Sequence, residues 1–127
     1  MSSLSTREYE KALTSLKEAF SAFMGEADES RKKLFRDATI QRFEFTVELA
    51  WKVSIKFLGR PATSPKPVIR EMAQSGLITD IQAWFEAIEA RNKTSHSYDE
   101  AVALEIIQKI ATFIGKAEEL LGKLKSK

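Results

Sequence analysis

The stretch from Arg36 to Gly59, RDATIQRFEFTVELAWKVSIKFLG, decides the fold. Taken at about 100° per residue, Ile40, Phe43, Val47, Trp51, Ser54 and Leu58 fall in one narrow stripe. The stretch therefore reads as a long amphipathic helix facing a bundle. Phe45, Leu49 and Val53 form a second stripe, roughly opposite the first. Between them lies a polar wedge of Asp37, Gln41, Glu44, Glu48 and Lys52, whose Glu48 and Lys52 have the i, i+4 spacing of a favourable pair. A solvated edge usually takes about half of a helix, and this one is squeezed between two apolar faces. The expectation is burial by the bundle on one side and by a second copy of the chain on the other. Glu48 and Lys52 then become candidate walls of a cleft.

Outward from this stretch, the helix should run from about Ser30 to Leu58, about 40 Å long, until Gly59, Pro61 and Pro65 break it. Ahead of it, Ser5 and Glu8 have capping-box spacing. Tyr9, Leu13, Leu16, Phe20 and Phe23 follow at helical spacing up to Gly25. Ser64 can cap a short third helix with Pro65 at its first position, and Gly76 stops it. Thr79 and Gln82 repeat the capping-box spacing and open a fourth helix with Ile81, Trp84, Phe85 and Ile88 on one face. The fifth starts after Tyr98, with Ser97 and Glu100 as a box or with Asp99 as the cap. Its stripe is Ala103, Ile106, Ile107, Ile110, Phe113, Ile114, Ala117, Leu121 and Leu124. No segment alternates with period two. The expected fold is an all-α, up-and-down four-helix bundle with one additional short helix, a single domain over residues 1–127 that dimerises.

Composition agrees with this and narrows the function. The 127 residues hold 5 Gly and 3 Pro against 43% hydrophobic residues, which favours helix around one core. The absence of cysteine excludes a disulfide scaffold, a thiolate zinc site and a cysteine nucleophile. No run approaches the roughly 18 apolar residues of a membrane span, and the start MSSLSTREYEK has no signal-peptide core. A cytoplasmic protein without a membrane partner is expected. The net charge of +2 announces no nucleic-acid binder, so an anion site must come from local placement. A helix–Gly76–helix arrangement between Val68 and Glu89 suggests a DNA reader, but its second helix is apolar on one side and acidic on the other. That suits a core better than a phosphate-lined groove, and no duplex DNA partner is expected.

The single histidine lies in RNKTSHSYDE, Arg91 to Glu100. Continued past Ile88, the fourth helix puts Arg91 beside Trp84 at the margin of the apolar face and Asn92 near its centre. Arg91 can simply be the last-turn cation that complements a helix C-terminus, and His96 a polar turn residue. The residue types combined offer more. Arginine presents a fixed fork of donors to phosphate oxygens, histidine titrates near neutrality and can move a proton, and asparagine supplies an orienting amide. Together they could cleave RNA without metal, the 2′-hydroxyl attacking its own phosphate while arginine stabilises the developing charge. One histidine per chain cannot be both acid and base. A dimer that joins two loops could. Tyr98, at a helix start, would hold its hydroxyl near backbone N–H groups that attract phosphate.

The segments RDATIQRFEFTVELAWKVSIKFLG, SPKPVIREMAQSGLI and W-x-x-x-I-x-x-RNKTSHSYDE resemble the bacterial HEPN proteins (higher eukaryote and prokaryote nucleotide-binding) encoded beside minimal nucleotidyltransferases. These were first named nucleotidyltransferase substrate-binding proteins. The resemblance covers nearly the whole chain, and its sharpest element, R-x-x-x-x-H-x-Y, is met by Arg91, His96 and Tyr98. It implies a four-helix bundle whose dimer brings two such loops to one cleft. It also implies a metal-independent ribonuclease that is the toxin of a toxin–antitoxin pair and needs no cofactor. The implied partner is a cognate minimal nucleotidyltransferase, the antitoxin, which silences the toxin by transferring AMP to the motif tyrosine. Arg91 would then stabilise the scissile phosphate of an RNA, His96 would be the acid/base group with Asn92 beside it, and Tyr98 would accept AMP. The alternative is a non-catalytic subunit that presents a nucleotide or other substrate to a separate nucleotidyltransferase.

Overall fold

Local signals at the helix ends set the element order. The fold is seen in a computed structural model that describes residues 5–61 and 64–126; residues 1–4 of the polar start lie outside them. Ser5 caps α1 (Thr6–Gly25), its hydroxyl accepting the Glu8 N–H. Asp28 does the same for the Arg31 N–H and opens α2 (Glu29–Phe57). Ser64 precedes α3 (Pro65–Gln74), where proline takes a first-turn position that has no helical N–H bond to lose. α4 (Ile81–Asn92) is followed by a 3₁₀ turn (Thr94–His96) and by α5 (Glu100–Lys125). No strand occurs among the described residues.

Gly59 and Gly76 end α2 and α3 with φ of +70° and +85°. Each closes a Schellman turn: Gly59 N–H reaches Lys56 O and Arg60 N–H reaches Ile55 O, while Gly76 N–H reaches Ala73 O and Leu77 N–H reaches Met72 O. A side chain at either glycine would meet the left-handed backbone penalty. Two caps were open or misplaced in the sequence. Asp99, not the Ser97/Glu100 box, caps α5, accepting from the Ala101 and Val102 N–H groups. Asp80, not Thr79, caps α4 through the Ala83 N–H.

α1, α2, α4 and α5 form an up-and-down bundle, with α3 packed on α2 and α4. Its centre is Phe113 of α5, which meets Phe43 of α2 edge-on at 5.2 Å and Trp84 of α4 at 5.5 Å. The expected α2 stripe is buried from Ile40 to Ser54, with Leu58 partly buried at the C-cap. On α5 the core takes Leu120, whereas Ile114 and Leu121 are only partly buried.

The second α2 stripe is not the continuous free face expected. Val53 is buried within its own chain, Leu49 is partly buried and Phe45 is 65% exposed. α1 covers much of that side: the Thr46 hydroxyl, itself buried, approaches Ala12 O at 3.2 Å and Arg42 donates to Ser15 O. What remains open is a narrower line through Leu34 and Phe45, eleven residues and about three turns apart. No described helix is long and apolar enough to cross a membrane.

Tyr9 ties α1 to α5. Its ring is fully buried and its hydroxyl donates to Ala117 O at 2.8 Å. Burial, with a smaller contribution from nearby Glu118, pushes its pKa well above the ordinary tyrosine value. The folded chain thus holds a proton that the unfolded chain releases above about pH 10, so stability should fall as pH rises beyond that point. Tyr9→Phe is expected to cost about 0.5–1.5 kcal/mol near neutrality and to flatten the alkaline decline. Urea melts at neutral and alkaline pH check both.

Candidate active site at the α2–α4 cleft

Arg91 lies in the last turn of α4, where the sequence suggested a cation complementing the helix C-terminus. Its side chain instead turns to the wedge on α2. Nε lies 3.1 Å from Glu48 Oε1, and Nη2 lies 3.7 Å from Glu44 Oε2. The Nε contact is an ion pair without hydrogen-bond alignment, so this buried N–H has no hydrogen-bond acceptor. Glu44 and Glu48 are one turn apart on one face of α2 and so reach the same guanidinium. Glu48 is further engaged by Lys52 Nζ at 3.3 Å and by the indole N–H of Trp51 at 3.4 Å. Gln41, Glu44, Phe45, Glu48 and Arg91 line an open cleft of about 270 Å³.

The wedge is therefore split. Glu44 and Glu48 meet Arg91 and Lys52 pairs with Glu48, while Asp37 pairs with the buried Arg36 and Gln41 is exposed. Arg36 also donates to Glu100 at 3.0 Å, joining α2 to the first turn of α5.

The motif loop is built from overlapping backbone turns and needs no glycine. Lys93 N–H bonds to Ala90 O, His96 N–H to Lys93 O, Ser97 N–H to Thr94 O, and Asp99 N–H to His96 O. The Thr94 hydroxyl adds a bond to Arg91 O at 2.8 Å, closing the end of α4. His96 and Tyr98 are both exposed, Tyr98 by 83%. His96 Nδ1 is 3.4 Å from the Tyr98 hydroxyl, and the rings meet edge-on at 6.0 Å. Which of the two donates depends on the imidazole tautomer.

Two placements differ from the sequence reading. Asn92, the last residue of α4, is exposed and not buried with the apolar face one turn earlier at Ile88; its amide makes no hydrogen bond among the described residues. Tyr98 precedes α5, and the N–H groups expected near its hydroxyl are taken by Asp99. His96 and Tyr98 thus come together, as do Arg91, Glu44 and Glu48, but no bond joins His96 to Arg91 among the described residues. No group of three or more His, Asp or Glu side chains there is placed to hold a metal ion.

Residues 4–126 match the family described as nucleotidyltransferase substrate binding protein like. The chain belongs to this family. It is 32% identical over 96 residues to the probable ribonuclease HepT of Haemophilus influenzae, spanning 69% of this chain and 66% of that protein, just under two thirds of its length. A crystal structure of a Thermus thermophilus protein is 35% identical, with a TM-score of 0.79 over 91% of this chain and 98% of that one. A Haemophilus influenzae structure, described as the fold of a substrate-binding domain of a nucleotidyltransferase, is 26% identical. Its TM-score is 0.86, over 94% of this chain and 98% of that one. Members of the nucleotidyltransferase substrate-binding family thus share this all-helical architecture.

Proposed function

We propose that this substrate-binding family member is an endoribonuclease of the R-x-x-x-x-H type, acting at a cleft between two copies of the chain. The observation that carries the reading is one short, internally bonded loop that presents an exposed imidazole five residues after a half-buried arginine lining a cleft. The similarity to a protein called a probable ribonuclease supports it. In this reaction a ribose 2′-oxygen attacks the adjacent phosphorus, its proton passing to one His96. The 5′-oxygen leaves with a proton from the His96 of the second copy, and Arg91 stabilises the equatorial oxygens. In this reading Asn92, exposed one residue after Arg91, orients the RNA. The apolar line of Leu34 and Phe45, continuous with the cleft wall at Phe45, is the face that receives the second copy.

Purified protein incubated with tRNA in chelator should yield fragments bearing 2′,3′-cyclic phosphate and 5′-hydroxyl ends. An absence of cleavage, or 3′-hydroxyl ends, contradicts the mechanism.

The partner in this reading is a nucleotidyltransferase that acts as antitoxin. The Tyr98 oxygen attacks the α-phosphorus of ATP, pyrophosphate leaves, and AMP is retained on the tyrosine. The 3.4 Å approach of His96 to the Tyr98 hydroxyl supports this, since AMP there would crowd the imidazole. Incubation with the partner and ATP should add AMP to the Tyr98 peptide, read by mass spectrometry, and Tyr98→Phe should abolish it. Unchanged modification of Tyr98→Phe would refute the assignment.

The family description favours a second reading, a non-catalytic subunit that presents substrate to the transferase. Nucleotide binding retained in His96→Ala, together with a parent that cleaves no RNA, would select it.

A further inference from the structure

An arginine that grips phosphate would be expected to keep its donors free, yet Arg91 faces two carboxylates held in different ways. Glu44 is 42% exposed in its side chain and reaches Nη2 only at 3.7 Å. Glu48 is 24% exposed and fixed from three directions: by Arg91 Nε, by Lys52 Nζ and by the Trp51 indole N–H. Trp51 is itself a core residue, 7% exposed, and Lys52 Nζ lies 5.6 Å from its ring centre. Glu48 thus links Arg91 to the rigid interior, approaching the guanidinium at Nε, while the more exposed Glu44 reaches Nη2 only at 3.7 Å. Restricting a long side chain before substrate arrives removes an ordering cost from the reaction.

Resting on the ribonuclease reading, we infer that Glu48 is a positioning residue. Backed by Trp51 and Lys52, it aims the Nη side of Arg91 at the scissile phosphate.

A carboxylate so close to a bound phosphate also repels it, and this gives the inference a signature. Glu48→Gln keeps the shape and removes the charge. RNA should then bind more tightly, with KM lowered, while kcat falls by about 10- to 100-fold because the guanidinium is no longer aimed. Trp51→Phe keeps an aromatic ring in place but loses the N–H, and should lower kcat by a few-fold in the same direction. A lower KM with unchanged or higher kcat in Glu48→Gln would make Glu48 a mere competitor of RNA and overturn the inference. So would a fall in kcat matched by loss of folded protein in circular dichroism.

A second readout does not depend on cleavage. The ¹⁵N-resolved Nε–H signal of Arg91 should shift or broaden in Glu48→Gln, and an unchanged signal overturns the inference. If the parent cleaves no RNA, the ribonuclease reading fails on that result alone, while the Nε–H signal still decides whether Glu48 holds Arg91.

Discussion

His96→Ala is expected to cleave RNA about 10²- to 10⁴-fold more slowly than the parent, the range spanned by the loss of a general acid–base group. The upper part applies if the substitution removes both the base that takes the 2′-proton and the acid that protonates the leaving oxygen. Fold stability should hardly change. The imidazole is exposed, its hydrogen-bonding neighbour among the described residues is the exposed Tyr98 hydroxyl, and the loop is closed by backbone bonds that alanine keeps. Initial rates on one defined RNA, beside thermal melts of both proteins, separate the two effects. Equal rates would remove His96 from the chemistry.

Phe113→Ala should have the largest effect on stability. Its ring is 3% exposed and stands edge-on to both Phe43 and Trp84, so it joins α5 to α2 and α4 at one point. Truncation removes the buried ring and leaves a cavity that three helices cannot fill without moving, a cost of about 3–5 kcal/mol. Against a typical total of about 5–15 kcal/mol, the variant should be marginal at 37 °C, and its urea midpoint should fall steeply. A loss under about 1 kcal/mol would mean that the helices repack around the gap.

The parts of the fold legible in the sequence are those set by neighbours in the chain. Ser5 caps α1 because its hydroxyl needs only the Glu8 N–H three residues on, and Gly59 and Gly76 end helices because left-handed backbone favours glycine. Thr79 misled for a tertiary reason. Asp80, one residue later, caps Ala83 and also meets Lys116 of α5 at 3.4 Å. The Ala83 N–H and that lysine hold its carboxyl below the usual carboxylate range. The α2 face was misjudged in the same way. Its period shows that Val53 points away from the Phe43 stripe, but not that Val53 is covered within its own chain.

The site divides along the same line. Arg91, His96 and Tyr98 stand out only through the family resemblance of R-x-x-x-x-H-x-Y, and the 3₁₀ turn brings the last two together. The wedge of Glu44 and Glu48 was visible as a helical pattern, but its meeting with Arg91 spans more than forty residues and required the fold. The indole bond from Trp51 carried a faint signal, a Trp three residues after Glu48 on a helix, which a search of i, i+3 pairs would have found.

The proposed ribonuclease shares one site between two copies, each supplying one His96. Parent and His96→Ala chains, mixed in varied proportion, unfolded and refolded together, test it most directly. If both histidines are needed, activity follows the square of the parental fraction, so an equal mixture retains about a quarter of the parental rate. A linear dependence, with about half the rate retained, would show that each chain acts alone and would contradict the shared site.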